Sequence, residues 1–192
     1  IVIMEIEVND NVFNEVYIPY LFSYDERNYR YLVLLGGAGS GKSVFITQRT
    51  ILRILREKNH RILVVRKVAS TLRHSVYKLF KSIIYEWGLE KLFTFSDSYL
   101  TIKCNVSNSE LVFLGIDNAE KLKSIAGITS IWIEESTELT ETDFNQVNLR
   151  LRGKEKAHKE VILTFNPISE THWIKKRFYD TYNEDVIRLK TT

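Results

Sequence analysis

Cysteine and proline are nearly missing from this 192-residue chain: Cys104 stands alone, and Pro19 and Pro167 are the only prolines. A single cysteine excludes an intramolecular disulfide and any multi-cysteine metal site, fits a reducing compartment, and reads as small apolar filler in a strand. Two isolated prolines leave no Pro-rich linker, and no repeat or low-complexity segment divides the chain. No apolar run approaches the roughly 20 residues of a membrane span. The first ten residues, with Glu5 and Glu7 inside an apolar alternation, lack the basic start and cleavage site of a secretory signal and read as a short strand. Strong charge of one sign is missing too: the net +3 is too mild to indicate a nucleic-acid partner by itself. His60, His74, His158 and His172 show no metal-ligand spacing, so no zinc is expected. The length suits one core, hence one domain, and the start at Ile1 and the end in VIRLKTT suggest a piece of a longer protein.

What is present alternates between strand and helix. Tyr31 to Leu35 is an apolar run, and Ser43 to Lys58 carries Val44, Ile51, Leu52, Ile54 and Leu55 on one face of a helix. RILVVR (61–66) reads as a parallel strand covered on both faces. Ser70 to Trp87 reads as a second amphipathic helix stopped by Gly88. Tyr99–Cys104 and Glu110–Gly115 flank a turn-rich segment as an antiparallel hairpin at the sheet edge. SIWIEE is a buried strand, Thr140 and Asp143 start a further helix, EVILTFNP is a strand, THWIKKRFYDTY a helix and DVIRLK a last strand. The expectation is an α/β fold with a mostly parallel sheet and an antiparallel addition.

Between the first strand and helix lies GGAGSGKS, Gly36 to Ser43, which spells G-x-x-x-x-G-K-S. Gly36, Gly37, Gly39 and Gly41 let the backbone curl around phosphates, with Ala38 and Ser40 between them. Lys42 supplies a point charge for the β and γ phosphates, and Ser43 a hydroxyl for Mg²⁺. SIWIEE ends in two acids, read as Glu134 on the metal side and Glu135 as general base for water. Thr164 and Asn166 in TFNP would sit beside them as a coupling or sensor pair. Charge compensation calls for a basic group, with Arg66, Arg73, Lys121, Lys123, Arg150 and Arg152 as candidates.

In the order GGAGSGKS, VVRKVASTLRHSVY, LGIDNAEKLKSIAG, IWIEESTEL and TFNP, the chain from about Tyr31 to Thr192 resembles the ATPase half of large terminase subunits, the DNA-packaging motors of tailed bacteriophages. That resemblance implies a RecA-like P-loop NTPase fold of the additional-strand, catalytic-Glu kind. It implies ATP hydrolysis with Mg²⁺ that drives double-stranded DNA into a procapsid, with a portal protein and small terminase subunit as partners. A homo-oligomeric ring in the host cytoplasm, transiently at the portal and away from any membrane, goes with it. Carried onto this chain, Lys42 and Ser43 match the nucleotide loop, Glu134 and Glu135 the acidic strand end, and Thr164 to Asn166 the coupling segment. Arg66 and Arg73 match the family's basic stretch, and Lys123 a residue offered to a neighbour's ATP. One ATPase domain over 1–192 is expected: 1–30 near the adenine side, a core over 31–167, and 168–192 leading toward the family's RNase H-like nuclease, an activity not expected of this chain.

Many relatives carry an arginine where this loop has Ala38, so compensation must come from Arg66, Arg73 or a neighbour, which implies weak hydrolysis by a monomer. Tyr20, Phe22, Tyr24, Tyr29 and Tyr31 are candidates to stack on adenine. Lys154, Lys156, His158, Lys159, Lys175, Lys176 and Arg177 are candidates to grip DNA phosphates. Rival readings are a helicase or recombinase-like motor, a small-molecule kinase, and a nucleotide-binding assembly module without turnover; consecutive Glu134 and Glu135 favour water as acceptor over a kinase's hydroxyl.

Overall fold

The computed structural model describes residues 5–154 and 156–191. Its strands are β1 (Tyr31–Gly36), β2 (Arg61–Arg66), β3 (Phe93–Ser96), β4 (Thr101–Cys104), β5 (Ser109–Gly115), β6 (Ser130–Ile133), β7 (Glu160–Phe165) and β8 (Val186–Thr191). They form one eight-stranded sheet in the order β3-β4-β5-β2-β6-β7-β1-β8. From β5 to β8 every pairing is parallel, whereas β4 and β3 add antiparallel at one edge. Strand β7 lies between β1, which leads into the glycine loop, and β6, which leads into the acid pair. That insertion is the additional-strand arrangement of a P-loop NTPase.

Alternate residues of each strand enter opposite cores. Leu32 and Leu34 of β1 pack with Ile46, Ile51 and Ile54 of α1 (Lys42–Arg56) and with Phe80 and Ile84 of α3 (Val76–Glu86). Tyr31 and Val33 pack on the other side with Leu122 of α4 (Ala119–Ser124), Phe144 and Val147 of α5 (Glu141–Asn148) and Ile174 of α6 (Trp173–Lys175). The Thr140–Asp143 start signal forms a complete capping box. Cys104 is fully buried.

Four expectations are corrected. Of the N-terminal strand expected over residues 1–10, residues 1–4 lie outside the described set, and from Glu5 the chain runs as coil into short 3₁₀ turns. Asn9 and Asn14 accept hydrogen bonds from Asn11 N and Val16 N, and such local bonds compete with strand pairing. The helix expected over 70–87 is two, α2 (Ala69–His74) and α3, broken at Ser75. Beyond α6 the turns widen to a π-helix over Lys176–Asp180. Strand β3, unread in the sequence, extends the hairpin.

Helix α2 begins against the end of β5, where a Cβ built on Gly115 would collide with the backbone of Ala69. Overpacking of this kind costs ~1–3 kcal/mol. Gly115→Ala is therefore expected to lower stability by about that amount in urea unfolding and to loosen α2, seen as faster amide exchange there.

Candidate active site

The loop after β1 turns because Gly39 and Gly41 sit at φ +80° and +81°, a region closed to most side chains. Gly41 caps α1 without a side-chain acceptor, and no acid occupies the first turn. The N–H groups at the start of this 15-residue helix are thus left for an anion. Tyr17, stacked on Phe45 at 4.5 Å, donates its hydroxyl to Ser40 O at 2.9 Å and so braces the loop from behind.

Lys42 reaches back along the loop. Its Nζ donates to Gly36 O at 2.6 Å, Gly37 O at 2.9 Å, Ser40 Oγ at 3.2 Å and Asn166 Oδ1 at 3.3 Å. Burial lowers its pKa and the nearby Glu135 opposes that shift. A cleft of about 320 Å³ is lined by Ala38 through Val44 together with Glu135, Thr164 and Asn166. Loop, second acid and strand end therefore meet at the carboxyl edge of the sheet, where ligands of open α/β sheets bind.

The two acids face different ways: Glu134 directly follows β6, and Glu135 after it adopts φ 48°, ψ 51°. A non-glycine residue in that left-handed region is uncommon and clusters at functional sites. Glu134 is 6 % exposed, accepts from Ser75 Oγ at 2.9 Å, and lies 3.7 Å from Arg66 Nη1. Burial raises its pKa, against the pull of Ser75 and Arg66. Behind the site Thr164 is buried, taking the Trp132 indole N–H at 3.0 Å on its hydroxyl and the Ser136 hydroxyl on its carbonyl.

The basic candidates scatter. Arg66 donates Nε and Nη2 to both oxygens of Glu138 at 3.1 Å, so it is committed to carboxylates. Arg73 lines a separate groove with Tyr77, Lys78, Lys81, Tyr85 and Asp97. Lys121 and Lys123 are exposed in the last turn of α4. Arg150 donates to Lys123 O, and Arg152 lines a different cavity together with Arg61 and Glu110, near the amino-terminal ends of β2 and β5.

None of the aromatic candidates for adenine lines the loop cleft. Tyr24 sits under Arg49 and Arg53, two or more turns down α1 from the loop, and Tyr29 binds Glu160 at the start of β7. Tyr31 is buried in one core, Tyr20 packs against the opposite one, and Phe22 lies under Arg56. Among the DNA candidates His158 is buried, its carbonyl taken by Arg53, and Lys175 and Arg177 are paired with acids. Sequence reasoning missed Tyr17 and Ser75; for Tyr17 the available signal was its place among aromatics preceding the loop, for Ser75 only a polar residue inside a helical pattern.

A family model described as phage terminase large subunit matches residues 28–192. The PBSX phage terminase large subunit of Bacillus subtilis (strain 168) is 37% identical over 167 residues, covering 86% of this chain and 37% of that protein. The chain thus spans little more than a third of that relative's length. Among solved structures, the large terminase of a thermophilic bacteriophage matches with TM-score 0.78 at 15% identity, over 94% of this chain and 46% of that one. The complex of that terminase with ATP-γ-S matches with TM-score 0.75 at 16% identity, over 94% and 45%. These two likenesses speak for the fold; the sequence matches speak for descent, and by them the chain belongs to the phage terminase large subunit family.

Proposed function

We propose that this chain is the ATP-hydrolysing motor part of a large terminase, which drives double-stranded DNA into a procapsid. The observation that carries the reading is the single cleft shared by the glycine loop, Lys42, Ser43, Glu135, Thr164 and Asn166. ATP phosphates would lie on the loop N–H groups, with Lys42 exchanging its carbonyl partners for phosphate oxygens. Glu135 would take the proton of the attacking water. Asn166, already within reach of Lys42, would register loss of the γ phosphate and pass it to β7 through Thr164. The thermophilic phage terminase in complex with ATP-γ-S supports a triphosphate as ligand.

Ser43 lines the cleft, whereas Glu134, next to Glu135 in the chain, stands outside its lining with Oε2 on Ser75. Both offer hard oxygens of the kind Mg²⁺ takes, an ion commonly held by one or two carboxylates, substrate phosphates and water, so Ser43 would hold it directly and Glu134 through its water shell. When bound, it would neutralise charge on the β and γ phosphates. Charge compensation in the transition state is best supplied by a neighbouring copy in a ring, since Arg66 is engaged by Glu138 and Glu134 and Arg73 lines another groove. Exposed Lys123 is the residue offered for that role. Portal and small subunit as partners, and action in the host cytoplasm and at the portal, follow the same reading. For DNA contact, Lys154 and Lys156 remain exposed.

The test is phosphate release over a wide range of protein concentration. Specific activity is expected to rise with concentration, to be lost in Lys42→Ala, and to fall at least tenfold in Lys123→Ala at high concentration. Specific activity independent of concentration would place the compensating group within one chain.

A further inference from the structure

The break between α2 and α3 has no cause in the apolar pattern. Leu72 and Val76, on either side of it, are both fully buried, so one continuous helix would present the same face. Nor does the backbone force it, because Ser75 N still donates to Thr71 O and Ser75 O still accepts from Leu79 N. At Ser75 the chain nevertheless leaves helical geometry, with φ −103° and ψ −106°. The result is a hydroxyl that reaches Glu134 Oε2 at 2.9 Å, across 59 residues of sequence.

That contact divides the two oxygens of the carboxylate. Oε2 takes Ser75 Oγ and faces Arg66 Nη1 at 3.7 Å, while no hydrogen bond from a described residue reaches Oε1. The glutamate arm of Glu134 has one more torsion than an aspartate would, hence one more to fix. We propose that Ser75 is a positioning residue for Glu134: its hydroxyl locks the carboxylate by one oxygen and leaves the other for the water shell of nucleotide-bound Mg²⁺. The inference rests on the reading of Glu134 as the metal-side acid. Partners that orient a metal ligand in this way change metal affinity about tenfold or more when removed.

The experiment compares wild type, Ser75→Ala, Ser75→Thr and Glu134→Gln by titrating Mn²⁺ into the protein with ATP-γ-S and following water proton relaxation. Nucleotide affinity in EDTA is measured in parallel, and thermal unfolding checks the fold. Ser75→Ala is expected to weaken Mn²⁺ binding about tenfold without changing metal-free nucleotide affinity. Ser75→Thr, which keeps the hydroxyl, is expected to stay within about threefold of wild type. In hydrolysis the same split should appear as a raised Mg²⁺ requirement with an unchanged KM for ATP. If Ser75→Ala does not fold, Ser75→Cys, a weaker donor of similar size, takes its place. Weakened Mn²⁺ binding in Glu134→Gln but not in Ser75→Ala would overturn the inference and leave the reading of the acid intact. Equal losses in Ser75→Ala and Ser75→Thr would reduce the contact to a structural one and overturn it. Unchanged binding in Glu134→Gln would overturn both.

Discussion

Glu135→Gln is expected to lower the rate of ATP hydrolysis by about 10²–10⁴-fold, the range of a removed general base, while ATP-γ-S still binds within a few-fold of wild type. The amide has the size of the carboxylate and can keep the backbone turn at φ 48°, but it cannot accept the proton of an attacking water. Among the residues lining the loop cleft, Glu135 is the one with a carboxylate. Its proximity to Lys42 is registered electrostatically, since it opposes the burial that lowers the lysine pKa. Removing the charge should leave Lys42 easier to deprotonate, so nucleotide affinity of the variant should decline at lower alkaline pH than that of wild type. Single-turnover phosphate release together with equilibrium binding separates the two effects. A loss of less than about tenfold in the chemical step would mean that another group activates water.

The phosphate loop, the acid pair and the end of β7 were legible because each is a short contiguous run whose backbone path follows from its own residues. Glycines dictate the loop, an apolar run dictates β6, and parallel pairing brings the carboxyl ends to one edge. Side chains that choose partners across the fold were not legible. Arg66 is claimed by Glu138, 72 residues on, and helical periodicity says nothing of a hydroxyl bond between Ser75 and Glu134. The aromatics before β1 looked close to the loop in sequence, yet Tyr24 and Tyr29 pack two or more turns down α1, with Arg49 and Arg53. His158 sits in a basic run that reads as surface, but its backbone is needed by Arg53, and burial lowers its pKa. From Glu5 the chain leads into 3₁₀ turns capped by Asn9 and Asn14, which a period-two pattern does not register.

Glu160→Ala is expected to cost ~3–5 kcal/mol of stability, the usual penalty for leaving a buried partner charge unpaired. Glu160 and the guanidinium groups of Arg49 and Arg53 are each about 1% exposed. The carboxylate accepts from Arg49 Nη1 at 2.6 Å and Nη2 at 3.0 Å, from Arg53 Nη1 at 2.8 Å and from the Tyr29 hydroxyl at 2.7 Å. Burial alone would raise its pKa, yet the two arginines hold it down to about 2. With the folded value below the unfolded one of about 4.5, the stabilisation is complete above pH 4.5 and is lost as pH falls toward 2. Urea unfolding of wild type should therefore weaken through that window, and the corresponding slope should be reduced in Glu160→Ala. Arg49→Met in the same chain should restore part of the loss, because it removes the charge left without an acid, whereas Arg53 keeps Glu57 at 2.9 Å. The cluster ties the middle and last turn of α1 to the start of β7; Lys42 begins that helix and Asn166 directly follows that strand. Loss of the tie should therefore also raise amide exchange in the loop, and a variant that loses stability without loosening the loop would show that the two ends of α1 are independent.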